Sequence, residues 1–402
     1  MVSTRSYRNP RRASSPPKKQ TPLWRGPQED GITFSLLSRF IECRERFRLK
    51  VIEGLVEDEG FLDAIEYGNM WHEAEEAFSR KRDYERVMRQ MYARWRANYP
   101  NQEEETRKWY MVCKTTFPIY IEYWKQHQHE VQRTPILEEK SFSVKYVLPS
   151  GRWLKLRGKF DAIFGILKTG QLLLQENKSK NKMDLEGLQK TLDQDLQTML
   201  YQIAMRLSIV EKKGEHYFQT DEGQMKVPQM KKAPTFQGVL YNVVKRPLSD
   251  MYAIRQRKTE TETQFFDRLA QNIREDSFTS DGKAKRDSSY FHRWEINITE
   301  EEIDTFKNRV FDPLLEQLMD WWEWIQPDPF DPWRPRTYGE MKWHEFPDQE
   351  EVRNTFHWQS PWGVYNSLAS GRRGSYFDLL TSNSKKGLHK ATTLFPELQK
   401  VE

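Results

Sequence analysis

Between Ile136 and Lys180 the apolar residues leave a helical period for a strand period, in three consecutive runs joined by two short turns. No other stretch so narrows the folds open to the chain. ILEEKSFSVKYV is followed by the turn LPSG, then RWLKLRGKFDAIFGI, then the turn KTG, then QLLLQENKSK, the pattern of strands linked by hairpins. Within them AIFGI and QLLLQ are apolar runs typical of strands covered on both faces, so helices are expected against this sheet.

The flanks supply such helices. Leu36, Phe40, Cys43, Phe47 and Val51 recur at spacings of three and four, which predicts an amphipathic helix with Ser35 as its cap. Further helices are expected from about Asp63, over 83–98 and over 104–128. After the strands, Leu196, Leu200, Ile203, Ala204 and Leu207 form one stripe of a helix, and TFQGVLYNVVKRP reads as one more strand. Residues 211–234 between them are polar and predict an exposed excursion with weak strand content. A charged helix around 261–275, a strand near 290–297 and a long helix over 300–324 follow, and the last seventy residues are irregular and rich in Trp. The expected class is α/β, a central mixed β-sheet flanked by helices. Its parts are a basic tail over 1–30, a helical part over 31–133, a sheet and helix over 134–250 within a domain reaching 310, and a C-terminal extension over 311–402 that packs on the core.

The chain has 22 Phe, 17 Tyr and 14 Trp, large apolar groups that a disordered chain lacks. No stretch approaches the roughly 20 apolar residues of a membrane span, and MVSTRSYRNPRRASSPPKKQ lacks the apolar centre of a signal peptide, so an intracellular protein with no membrane partner is expected. Cys43 and Cys113 stand alone and far apart, which excludes a disulfide framework or a Cys-rich metal centre within one chain. The net charge of +5 belongs to the first 25 residues, which hold seven Lys/Arg and no acid. That tail reads as a solvated leader at least as readily as an arm for phosphates, and the basic stretch RKRDYERVMRQMYARWR as a solvated helix face more readily than a backbone-tracking groove.

Chemistry concentrates in two neighbouring strands, one with Gly158-Lys-Phe-Asp161 and the next with Glu176-Asn-Lys178. Glu176 and Lys178 are two residues apart and share a face, Asn177 points away with its carbonyl nearby, and Asp161 can complete the group. Two carboxylates and a carbonyl make a hard oxygen site for Mg²⁺ or Mn²⁺. A lysine beside it suits a reaction that develops negative charge. The ordinary alternative is a solvent-facing ion pair, but charges placed among apolar strand runs are costly unless something uses them. By spacing alone His72 in YGNMWHEAEEAF is an ordinary helix residue, and Glu75 and Glu76 read as helix surface. Gln197 and Tyr201 share a face of the helix after the Glu–Lys strand, within reach of a phosphate or a base. His127 and His129 are read as surface, and Trp321, Trp322, Trp324, Trp333 and Trp343 as core packing rather than base stacking.

Taken in order, these motifs resemble the PD-(D/E)XK nuclease superfamily, in its RecB-like and CRISPR-adaptation-nuclease-like branch and especially its bacteriophage members. SLLSRFIECRERFRL resembles the family's first helix, Gly68 to His72 its Gly-x-x-x-His motif, Gly158 to Asp161 its Gly-x-x-Asp motif, Glu176 to Lys178 its Glu-x-Lys motif and Gln197 to Tyr201 its Gln-x-x-x-Tyr motif. VLYNVVKRP, ETETQFFDRL and SSYFHRWEI are similar to the phage branch, so the likeness spans roughly 32–310. It implies a restriction-endonuclease-like core and a metal-dependent DNA nuclease. His72, Asp161, Glu176 and the Asn177 carbonyl would hold the ion, Lys178 would assist the attacking water, and Gln197 and Tyr201 would touch the strand. An exonuclease on linear ends in recombination, repair or phage DNA metabolism is the leading expectation, with an annealing protein or helicase as partner. A DNA-binding or assembly component, or an endonuclease, is the alternative. Many relatives bind an iron–sulfur cluster through four cysteines, one at the place of Cys43, but no cysteine follows Cys113 and no such cluster is expected. Phe356, Trp358, Trp362 and Tyr365 are expected to close that seam by packing, leaving Cys43 a buried small residue.

Overall fold

A computed structural model describes residues 23–42, 44–57, 60–127, 134–166, 168–183, 195–228, 234–248, 254–325, 375 and 384–393. Helix α1 (Phe34–Glu42) buries Leu36, Leu37 and Phe40 on one face. Thr33 rather than Ser35 caps it: the Leu36 amide donates to Thr33 Oγ1 at 3.3 Å, because the helix starts two residues earlier than expected. The predicted helix is described as α1 and again as α2 (Arg44–Phe47), which passes into a π-helical turn over Arg48–Ile52. A short strand β1 (Leu55–Glu57) leads to α3 (Asp63–Ser79), α4 (Tyr84–Asn98) and α5 (Glu103–Gln126).

Three long strands follow, β2 (Thr134–Val147), β3 (Trp153–Ile166) and β4 (Gln171–Lys180), joined as antiparallel hairpins. Helix α6 (Leu196–Ser208) then crosses over the sheet. The polar excursion folds as a small antiparallel sheet of β5 (Ile209–Lys212), β6 (Glu215–Thr220) and β7 (Gly223–Lys226). The chain returns as β8 (Thr235–Lys245), parallel to β4, and after α7 (Glu262–Ser277) adds β9 (Phe291–Asn297) antiparallel at the edge. The main sheet is five-stranded and mixed, in the order β2-β3-β4-β8-β9, flanked by helices as expected for an α/β fold. A parallel pair needs a crossover between its strands, and α6 is that crossover.

Alternation along the strands divides the interior in two. Leu172, Leu174, Val239, Tyr241 and Val243 face a core shared with α1 and α6, while Val244 and Phe291 face a second core shared with α3, α5 and α7. The predicted helix over 300–324 is interrupted by a π-helical turn at Lys307–Phe311 between α8 (Glu300–Phe306) and α9 (Asp312–Ile325). Trp321 is buried edge-on against Phe40 and Phe47 at 5.5 Å each, and Trp24 meets Phe47 and Trp322 in the same manner. Core packing is thus the role of Trp321 and Trp322. Trp333, Trp343, Phe356, Trp358, Trp362, Tyr365, Cys43 and His129, and the side chain of Trp324, lie outside the described residues. No described helix is long and apolar enough to cross a membrane.

Gly158 lets two rings close over β3. A Cβ there would stand 2.7 Å from Phe142 Cζ and 3.0 Å from Tyr201 Cε1. Gly158→Ala is therefore expected to lower the unfolding free energy by about 1–3 kcal/mol through overpacking, read in a denaturant titration with no catalytic assay needed.

Candidate active site

The β3–β4 ladder ends at Ala162 opposite Gln175; beyond it β3 stays with β2 and β4 with β8, and the sheet forks. Asp161 and Glu176 flank the fork. Asp161 Oδ2 accepts the Asn177 amide at 2.8 Å, which ties the two strands across the gap. Helix α3 lies over the opening and presents His72, whose Nδ1 is 3.6 Å from Asp161 Oδ2 and 3.8 Å from Glu139 Oε1. One ligand atom each from His72, Glu139 and Asp161 falls within 4.8 Å of the others.

On the α6 side of the fork Glu176 Oε1 accepts from Lys178 Nζ at 2.7 Å and from Gln197 Nε2 at 2.8 Å, while Lys178 also donates to Gln197 Oε1 at 2.7 Å. Gln197 therefore holds the carboxylate and the ammonium together. Tyr201, one turn on, is 8 % exposed and packs edge-on against Phe142 and Phe160. A cavity of about 960 Å³ opens beside the cluster, bounded in part by Glu139, Asp161, Tyr120, Trp124 and Arg293.

The charges are strongly interdependent. Burial opposes a charge on His72, yet Asp161 and Glu139 outweigh it and hold the imidazole up at about 9. Burial and the neighbouring Asp161 lift Glu176 to about 7, against the pull of Lys178. Burial likewise raises Asp161, whereas in Glu139 it is overcome by His72 and Lys159 and the carboxylate stays low. Glu139 repels Asp161 and Asp161 repels Glu176, while His72, Lys159 and Lys178 pull the other way.

The residues fit a divalent cation. Oxygen donors with one imidazole are the hard set such ions take, and Glu176 Oε2 is buried with no hydrogen-bond partner. A buried carboxylate oxygen without a donor is expensive unless something positive reaches it.

Three features were not legible beforehand. Glu139 looked like one of two ordinary strand acids, Glu138 and Glu139; only the pairing of β2 with β3 brings it to Asp161. Its backbone is at φ +48°, rare for a non-glycine residue, between the paired positions Glu138–Ala162 and Lys140–Phe160. Glu75, expected on the helix surface, is turned inward: Oε1 accepts from Tyr120 and from Asn242 Nδ2, and Oε2 is buried without a partner. The reason is tertiary, since the sheet covers that side of α3. His127, also expected at the surface, is half-buried against Tyr123 and Trp124, with Nε2 3.2 Å from the Lys285 carbonyl. The basic run through α4 is a solvated face as expected, with Arg80 and Arg82 paired to Glu76 and Arg89 to Asp83 and Glu85.

A forked mixed sheet that gathers carboxylates, an imidazole and a lysine is an arrangement suited to metal-assisted hydrolysis. The chain matches the family model of the PD-(D/E)XK nuclease superfamily over residues 32–290 and belongs to that superfamily. A search of curated proteins finds no match.

Proposed function

We propose that this chain is a metal-dependent deoxyribonuclease, and specifically an exonuclease of the RecB-like branch that acts on linear DNA ends in recombination, repair or phage DNA metabolism. One observation carries the nuclease reading: His72, Glu139 and Asp161 converge on one point while the buried Glu176 Oε2 beside them lacks any partner. The order of the five motifs supports the branch and, through it, the exonuclease.

Mg²⁺ or Mn²⁺ would be held by His72, Asp161, Glu176 and the Asn177 carbonyl, with Glu139 added by the fold; bound there, it supplies neutralisation of the scissile phosphate and a water of lowered pKa. The protein's part is to fix charges in place. Burial opposes the charge on Lys178 but Glu176 outweighs it, so Lys178 stays protonated and offers a permanent positive charge to the pentacovalent transition state. Gln197 aims that ammonium through its own hydrogen bond, and by the order of the motifs Gln197 and Tyr201 would lie against the strand beside the scissile phosphate. Helix α3 and the Asp161–Asn177 bond keep the ligands from spreading under repulsion.

End-labelled linear DNA and covalently closed circular DNA, incubated with Mg²⁺, Mn²⁺ or a chelator, test this reading. Linear DNA is expected to be lost and circles spared, with activity abolished by chelator and restored by added metal. Cleavage of circles would make the protein an endonuclease. Inert wild type that is well folded, on single and double strands alike, would favour a DNA-binding or assembly component.

A further inference from the structure

On the face of the sheet away from Glu176 and Lys178, the row Asn177–Asn242–Arg293 runs across β4, β8 and β9 at directly paired register positions. Asn177 and Asn242 are 7 % and 1 % exposed. Arg293 Nε donates to Asn242 Oδ1 at 2.9 Å, and Asn242 Nδ2 donates to Asn177 Oδ1 at 2.9 Å. Gln175 Nε2 donates to the same oxygen of Asn177, also at 2.9 Å. Arg293 Nη2 donates to the Tyr120 hydroxyl at 3.0 Å, and Tyr120 donates to Glu75, one turn of α3 beyond His72. The guanidinium lies over the Trp124 ring at 4.0 Å.

The direction of this chain of bonds is set at one end. Guanidinium has donors and no acceptor, so the amide oxygen of Asn242 must face Arg293 and its NH₂ must face Asn177. Asn177 must then turn its own oxygen to Asn242, which fixes its amide plane, while its backbone is pinned by Asp161 at the fork. Through Tyr120 and Glu75 the same cation also braces the helix that carries His72. Resting on the proposed nuclease reading, we infer that Arg293 and Asn242 are positioning residues for the cation site. They set the orientation of Asn177 and the height of α3, and touch neither the ion nor the strand. Groups that orient metal ligands in this way are commonly worth 10- to 100-fold in metal affinity.

The test is a calorimetric Mn²⁺ titration of the full chain without DNA, joined to kcat and KM on linear DNA and to thermal unfolding, for wild type, Asn242→Leu, Arg293→Met and Arg293→Lys. Asn242→Leu leaves Arg293 Nε without its acceptor and is expected to lower the thermal unfolding midpoint, which the melt reads separately from metal binding. Both Asn242→Leu and Arg293→Met are expected to lose about tenfold or more in Mn²⁺ affinity and in kcat, with KM for DNA within about twofold, and Arg293→Lys to recover part of the loss. Wild-type Mn²⁺ affinity in both disruptive variants overturns the inference and leaves the nuclease reading standing. A raised KM at unchanged kcat in Arg293→Met also overturns it, making Arg293 a contact to DNA. Wild type that binds no Mn²⁺ overturns the nuclease reading and this inference with it.

Discussion

Asp161→Asn is expected to cut metal-dependent cleavage of linear DNA by about 10³-fold or more, with little change in thermal stability. Asp161 stands at the meeting of every group at the fork. It is 3.6 Å from His72 Nδ1, accepts the Asn177 amide, and shares its surroundings with Glu139 and Glu176. Asn keeps an oxygen for the Asn177 amide, so the tie between β3 and β4 survives. Loss of the negative charge removes the favourable pairing with His72 and also the repulsion toward Glu139 and Glu176, two effects of opposite sign. Lys178→Met is expected to lose about 10²- to 10³-fold in kcat, since it removes a fixed charge aimed at the transition state. Single-turnover cleavage with Mg²⁺ or Mn²⁺, beside a circular-dichroism melt, separates catalysis from folding. Retained cleavage by well-folded Asp161→Asn would place the chemistry elsewhere in the molecule.

Glu139→Gln and Glu139→Gly form the second pair, because they divide charge from backbone strain. A non-glycine residue held at φ +48° carries about 1–2 kcal/mol of strain, and such residues persist where surrounding structure demands them. Glu139→Gln keeps the strain and the shape but lacks the charge, and is expected to bind Mn²⁺ about 10- to 100-fold more weakly with stability near that of wild type. Glu139→Gly is expected to show the same loss of affinity without a loss of stability, since glycine adopts that backbone freely. Lys159, paired to Glu139 at 2.5 Å and 32 % exposed, can return to water in both variants. Titration calorimetry and denaturant unfolding read the two quantities separately. Wild-type Mn²⁺ affinity in Glu139→Gln would remove Glu139 from the site.

The contrast between Glu139 and Glu176 shows how far the site was legible. Glu176 and Lys178 announce themselves because two charges alternate within an otherwise apolar strand run, a local anomaly visible in ten residues. Glu139 has no such anomaly; Glu138 precedes it and Lys140 follows it, as on any exposed strand. Glu75, Tyr120, Asn242 and Arg293 are scattered over more than two hundred positions and become one hydrogen-bonded group only when two neighbouring strands and two helices are brought together. Similarly, Thr33 and Ser35 are both good caps, and only the point at which α1 leaves the bridge between Ile32 and Leu156 selects Thr33.

By itself the sequence determined the α/β class, the hairpin of β3 and β4, the crossover helix α6 and the pairing of Glu176 with Lys178, because each of these follows from periodicity, turn chemistry or a spacing of two residues within one segment. Only the tertiary structure decided which acid joins His72 and Asp161, that Glu75 points inward, that Gln197 binds Glu176 and Lys178 together, and that a half-buried arginine on the edge strand is hydrogen-bonded to Asn177 through Asn242. Local patterns encode which side of a strand or helix is apolar. The meeting of side chains from distant segments depends on strand register and on the point where a ladder ends, and both are set by the packing of the whole domain.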